Sequence, residues 1–250
     1  MNKYQIGIIG YGDFTKVMLE YLAPYADIVV SSRSRETGDA GFGARFKPLS
    51  EVLSCDIIIP SIPAQFFEEF FTQNRDFINP GALVIDVSSV KIRPLDVLQR
   101  LLPETCQIIG THPMFGPASI AKNNGIKGLR CVVCPVRVPN EKFSSIKQLL
   151  QTNLKLEVLE RTPEQHDREM AYVQGLSHYI GRVMDCMKIP ESELATLAYE
   201  DLLDMKKIQG GDSWDLYASI MLQNPYAAEV NAQFKQACDL LDEKLSSVRQ

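Results

Sequence analysis

The 250-residue chain lacks any long apolar run. Its most hydrophobic stretch, Asp56-Ile-Ile-Ile-Pro-Ser-Ile-Pro63, is short and broken by prolines, far below the roughly 20 residues a membrane-spanning helix needs. No membrane span is expected. Positive charge is not in excess: 26 Lys and Arg stand against 31 Asp and Glu, a net charge of −5. That argues against a broad basic face for nucleic acid and leaves only a local pocket for a small anion. Cysteine is sparse, with six scattered residues, and the lone C-x-x-C is Cys131 and Cys134 in Arg130-Cys-Val-Val-Cys-Pro135. In a strand, a separation of three sends the two side chains to opposite faces, so shared metal ligation is not expected. No second pair or histidine cluster completes a metal site, and the thiols read as reduced. No charged, apolar and small-residue leader precedes the first strand, so the expected compartment is the cytoplasm. Histidine is rare, at positions 112, 166 and 178 only. What is plentiful is ordinary globular material, 45% hydrophobic and 23% charged, enough for a sizeable core.

Two textures divide the chain. Over residues 1–160, short apolar runs at 4–9, 27–31, 56–62, 83–87, 107–111, 130–134 and 154–159 alternate with helical patterns such as 14–22, 65–77, 95–102 and 141–151. Strands that are apolar throughout, separated by helices, indicate a parallel sheet covered on both faces. Over residues 161–250 no strand pattern is seen. Thr162-Pro163-Glu164-Gln165 is a good helix start, and the helix it opens is expected to run to about 187. Further helices are expected at 191–205, 215–222 and 225–248. The fold class is α/β: an N-terminal Rossmann-type parallel-sheet domain, then an all-helical C-terminal domain.

Gly7-Ile-Ile-Gly10-Tyr-Gly12-Asp13-Phe14-Thr15 follows the first strand and opens the first helix. Gly10 can make the tight turn, and Gly12 lets the backbone approach a pyrophosphate at the helix N-terminus. The third glycine of the dinucleotide fingerprint is Thr15 here, and an ordinary strand-to-helix turn is the plainer alternative. At the end of the second strand, where an NAD site usually has an acid, stand Ser32, Arg33, Ser34 and Arg35. Hydroxyls and guanidinium groups suit a 2′-phosphate, so NADP+ is expected over NAD+, the alternative being a solvated basic turn.

Two segments fall where strand ends should deliver catalytic groups: Asp86-Val-Ser-Ser89-Val-Lys91 and Gly110-Thr-His112-Pro-Met-Phe-Gly-Pro117. His112, placed just past a buried strand and before a proline, is either a proton-transfer group or a structural histidine. Gln174, His178 and Arg182 are spaced by four and share one helix face, as a pocket wall or as a solvated or dimer-facing stripe. His166 and Asp167 lie in the first turns of that helix.

Together, Thr111-His-Pro-Met-Phe-Gly-Pro117, Asp86-Val-x-Ser89-Val-Lys91 and Gln174-Gly-Leu-Ser-His178-Tyr-Ile-Gly-Arg182 resemble the prephenate/arogenate dehydrogenase family. The Ser32-Arg-Ser34 turn, Tyr199-Glu-Asp-Leu-Leu-Asp204 and Asp212-Ser-Trp-Asp-Leu216 are similar to its plant-type, NADP-dependent arogenate dehydrogenases. The resemblance implies oxidative decarboxylation of a cyclohexadienol, arogenate to tyrosine. His112 would take the C4 hydroxyl proton as hydride leaves for the nicotinamide, with Ser89 bonding that hydroxyl or orienting His112. Ser119, Gln174, His178 and Arg182 would meet the substrate. Asp212 would attract the ammonium of arogenate, although it suits equally the N-cap of the next helix. Prephenate as substrate, or a dinucleotide-binding dimer without turnover, are the competing implications. One departure stands out: the arginine that many bacterial members carry before the last helix is missing from Gly210-Gly-Asp-Ser-Trp-Asp215. Lys206, Lys207 or Arg182 is left to replace it, the alternative being that this subfamily binds its carboxylates differently. A homodimer through the short helices is expected, because so few residues bury little core alone.

Overall fold

The computed structural model describes residues 4–248. The chain divides into two compact units between Glu164 and Gln165. In the first, β1 (Tyr4–Ile9) leads through the glycine turn into α1 (Asp13–Leu22) and back as β2 (Ala26–Ser31). A hairpin, β3 (Gly38–Gly41) and β4 (Ala44–Phe46), and the short α2 (Leu49–Leu53) follow. The alternation continues with β5 (Ile57–Pro60), α3 (Phe67–Asn74), β6 (Leu83–Asp86), α4 (Ile92–Leu101) and β7 (Gln107–Pro113). It closes with α5 (Pro117–Asn123), β8 (Arg130–Arg137), α6 (Asn140–Gln148) and β9 (Glu157–Glu160).

These strands form one sheet in the order β3-β4-β2-β1-β5-β6-β7-β8-β9. Its centre, β2 to β7, is parallel as the apolar runs require. The sheet as a whole is mixed, because β8 runs antiparallel to β7 and β3 antiparallel to β4. The hairpin left no periodic signal. Gly38, Gly41 and Gly43 all take positive φ, and Phe42 between them is left-handed as well. Of its side chains, Ala40, Ala44 and Phe46 are buried. Alternation in β8 works as expected: Cys131 and Val133 pack into one cluster with Ile126 and Leu156, Val132 and Cys134 into another with Ile108 and Leu98.

The second unit is helical. α7 (Pro163–Met170) passes through a π-helical turn at Ala171–Leu176 into α8 (Ser177–Cys186). Lys188, at φ 52°, ends that run. α9 (Leu197–Gly210) starts six residues later than the sequence pattern placed it. The Ser192 hydroxyl accepts from the Leu194 amide (3.1 Å), holding a turn, and the Thr196 hydroxyl then caps the helix through the Tyr199 amide (3.4 Å). α10 (Trp214–Gln223) and α11 (Ala227–Val248) complete the unit. Among the described residues, no helix is long and apolar enough to cross a membrane.

Candidate active site

The glycine turn joins β1 to α1. Gly10 takes φ 103°, and a Cβ there would stand 2.4 Å from the Ser61 carbonyl oxygen, so no other residue fits. Gly12 is the N-cap of α1, with no side-chain cap. A Cβ on it would meet nothing within 4 Å, leaving open space in front of the helix's unpaired amides. Thr15, in place of a third glycine, is fully buried. Its Oγ1 donates to the Gly10 carbonyl (3.1 Å) and lies 3.0 Å from Ser61 Oγ, tying the turn to the loop after β5. Asp13 pairs with Lys16 at the surface (2.8 Å). Phe14 packs against Phe115, ring centroids 6.3 Å apart, which brings the loop after β7 to the glycine turn.

At the end of β2 the Ser32 and Ser34 hydroxyls are 3.0 Å apart, and the Ser34 amide donates to Ser32 Oγ. Arg33 is exposed, while the Arg35 guanidinium stacks over Phe46 at 5.8 Å. The donors of this turn and the open cradle at Gly12 fit a phosphorylated dinucleotide.

The ends of β6 and β7 are locked together. Asp86, the last residue of β6, is paired in register with Gly110. Lys91 and Asp86 form an ion pair in which both side chains are fully buried. Lys91 Nζ also donates to the Thr111 carbonyl (2.7 Å) and to Ser88 Oγ (3.3 Å), and Thr111 Oγ1 donates to the Asp86 carbonyl (2.8 Å). Ser89 is half-buried in the loop this closes. His112 was expected just past the strand. It lies within β7, because β8 keeps pairing as far as Pro113 and sets His112 opposite Val132. Its side chain is buried, 4% exposed. Ser119 is exposed in the first turn of α5.

A second cluster lies inside the helical unit. His178 Nδ1 bonds the Gln174 carbonyl (2.9 Å), which directs Nε2 to the Asp212 carboxylate (2.8 Å). Arg182 donates to the Asp212 carbonyl and stacks over the rings of Tyr217 (5.4 Å) and Trp214 (5.9 Å). The polar stripe of α8 therefore faces the segment that opens α10. Asp212 is not the N-cap of that helix. Ser213 is, its hydroxyl accepting from the Leu216 amide (3.2 Å). Gln174 Oε1, Arg182 Nε and Gln209 Oε1 are buried without a hydrogen-bond partner. Gln209 carried no signal in the sequence; it enters because Gly181 lets α9 approach, a Cβ there falling 2.5 Å from Gln209 Cβ. Below, His166 and Asp167 bond each other in full burial (2.7 Å), and Asn224 donates to the Asp167 carbonyl.

Burial pushes the Cys131 thiol up to about 12 and that of Cys55 up to about 11, so neither is a nucleophile near neutral pH. Among the described residues no group of three or more His, Cys, Asp or Glu could hold a metal.

Comparison with known proteins places this geometry. A family model described as "Prephenate dehydrogenase, nucleotide-binding domain" matches residues 27–156, and one described as "TYRAAT1-like, C-terminal domain" matches residues 183–250. The chain is 30% identical over 265 residues to arogenate dehydrogenase 1, chloroplastic, of Arabidopsis thaliana, covering 97% of this chain. It is 28% identical to arogenate dehydrogenase 2, chloroplastic, of the same plant, covering 96%. It spans 40% of the length of the first and 70% of the second. The fold matches a crystal structure of prephenate dehydrogenase from A. aeolicus in complex with hydroxyphenyl propionate and NAD+, with a TM-score of 0.74 at 17% identity over 98% of this chain and 92% of that one.

Proposed function

The chain belongs to the prephenate dehydrogenase family, and from that premise we propose that it oxidatively decarboxylates arogenate to tyrosine with NADP+. The observation that supports this reading is the Phe14–Phe115 contact, between the helix that opens at the glycine turn and the loop that follows β7, the strand holding His112. NADP+, when bound, supplies the hydride acceptor. Gly10, Gly12, the amides of Asp13 and Phe14, and the donors of Ser32, Arg33 and Ser34 are the groups that hold it. The His112 imidazole accepts the proton of the substrate's C4 hydroxyl, and Ser89 orients that hydroxyl or the imidazole. As the C4 carbonyl forms it draws in the electrons released with CO2, and the ring becomes aromatic.

Substrate polarity is read by the helical unit. Arogenate carries an ammonium where prephenate carries a keto group, and the Asp212 carboxylate favours the cation. Arg182 takes the place of the missing arginine as carboxylate partner, helped by Gln174 and His178. Lys206 donates to the Ile189 carbonyl (3.3 Å), whereas Arg182 contacts the Asp212 segment itself. Ser119 adds a hydroxyl from α5. Engagement of one Asp212 oxygen by His178 favours the second reading, prephenate as substrate. The test is Asp212→Asn assayed with both substrates in parallel. The arogenate reading predicts that the arogenate-to-prephenate ratio of kcat/KM falls at least tenfold, and an unchanged ratio contradicts it.

The preference for NADP+ follows from the Ser32–Ser34 turn. Arg33→Ala should raise the KM for NADP+ and leave that for NAD+ unchanged. We further propose a homodimer through the helical unit, where Leu240, Leu241 and Leu245 of α11 are exposed. Light scattering at micromolar concentration should give twice the chain mass, and a monomer contradicts it.

A further inference from the structure

Lys91 closes the Asp86–Lys91 segment and is fully buried, yet the proposed chemistry gives it no role. Its side chain and that of Asp86 are wholly removed from water. Such a pair contributes little net stability, since its desolvation offsets the attraction. What it does is geometric. Lys91 Nζ reaches three acceptors on two strand ends: the Asp86 carboxylate that ends β6, Ser88 Oγ in the loop carrying Ser89, and the Thr111 carbonyl, whose peptide bond leads into His112. Asp86 returns the contact twice, its Oδ1 accepting from the Ser88 amide (3.0 Å) and its carbonyl from Thr111 Oγ1 (2.8 Å). Ser88 Oγ in turn donates to the Val90 carbonyl (2.7 Å). The lysine stem also needs Gly110, where a Cβ would stand 3.2 Å from Lys91 Cδ and 2.7 Å from Leu95 Cδ1. Ser88 and Val90, which flank Ser89, and the peptide before His112 are thus strapped to one ammonium group.

We propose that the Lys91–Asp86 pair is a positioning device that fixes Ser89 and His112 relative to each other. Lys91 is a positioning residue with no contact to substrate. In catalytic terms this rests on the reading of His112 and Ser89 as the reacting pair; in geometric terms it does not. Orientation of this kind acts on kcat, where a displacement of about 1 Å costs on the order of a hundredfold.

The test uses the full-length protein in three forms. Lys91→Met alone leaves a buried carboxylate unpaired and is expected to unfold more readily. The decisive form is the double variant Lys91→Met with Asp86→Asn, which removes both charges at similar volume and keeps an acceptor for the Ser88 amide. It should melt within a few degrees of the wild type. Its kcat with arogenate or prephenate should fall about tenfold to a hundredfold, with KM for substrate and for NADP+ little changed. Lys91→Arg/Asp86→Glu should not restore the rate, because the longer groups cannot keep the spacing. The second readout is independent of turnover: in amide NMR spectra, the signals of Ser89, Thr111 and His112 should shift or broaden in the double variant, while those of Gly10 and Gly12 stay in place. A double variant with wild-type kcat, or one whose Ser89 and His112 signals do not move, overturns the proposal. Should the wild-type protein turn over neither cyclohexadienol, the catalytic reading fails and the NMR comparison alone decides whether the pair sets this geometry.

Discussion

At the scale of single residues, the account rests on few side chains because the chain has few with the right chemistry. A neutral imidazole accepts a proton near neutral pH, and general-base assistance is worth about 10²–10⁴-fold. His112→Asn keeps a polar, hydrogen-bonding side chain and loses that capacity. Its kcat for NADP+ reduction should fall by about that factor with KM nearly unchanged, and an unchanged kcat removes His112 from the chemistry. The two glycines of the phosphate turn separate in the same way. Gly10→Ala drives a Cβ toward the Ser61 carbonyl and forces a left-handed backbone, which alone costs about 1–2 kcal/mol. It should lower Tm by several degrees. Gly12→Ala meets no protein atom, so Tm should hold while the Kd for NADP+ rises about tenfold or more. Calorimetry of both variants reads the two outcomes, and normal NADP+ affinity in Gly12→Ala contradicts the assigned anion site.

At the scale of elements, the sequence carried the parallel core and the helical unit because both have strong periodic signals. Ile6–Ile9 and Leu83–Val84 are apolar without interruption, and α8 presents its polar groups every fourth residue. The β3–β4 hairpin stayed hidden because glycines at positive φ, not alternation, shape it. The start of α9 was misplaced because the polar turn at Ser192 resembles helix in composition. Among the candidate residues, His112 was singled out by its neighbours, yet its place inside β7 depends on pairing with β8, a contact between distant segments. Thr15 reads as a flaw in the fingerprint until its hydroxyl is seen to bind Gly10 and to approach Ser61. Lys91 and Asp86 stand in a quoted motif, but the contact of Lys91 with Thr111 and the approach of Gln209 to Gly181 run between elements, which no local pattern encodes. Thr15→Gly, which completes the dinucleotide fingerprint, should therefore weaken NADP+ binding severalfold, and equal or tighter binding contradicts the role given to that hydroxyl.

At the scale of the whole molecule, burial sorts the six thiols. Cys55, Cys106, Cys131 and Cys134 are buried, and Cys186 and Cys238 are exposed. Burial raises the first three of these buried thiols above the ordinary range, which withholds the reactive thiolate. A disulfide reagent at neutral pH should titrate two thiols rapidly in the folded protein and all six after denaturation. More than two fast thiols would mean a looser core than the one described. The central claim concerns the reaction itself. Purified protein with NADP+ and arogenate, followed for reduced cofactor, tyrosine and CO2 together, should yield all three in equal amounts and faster than with prephenate. Tight NADP+ binding with no product from either cyclohexadienol would contradict it.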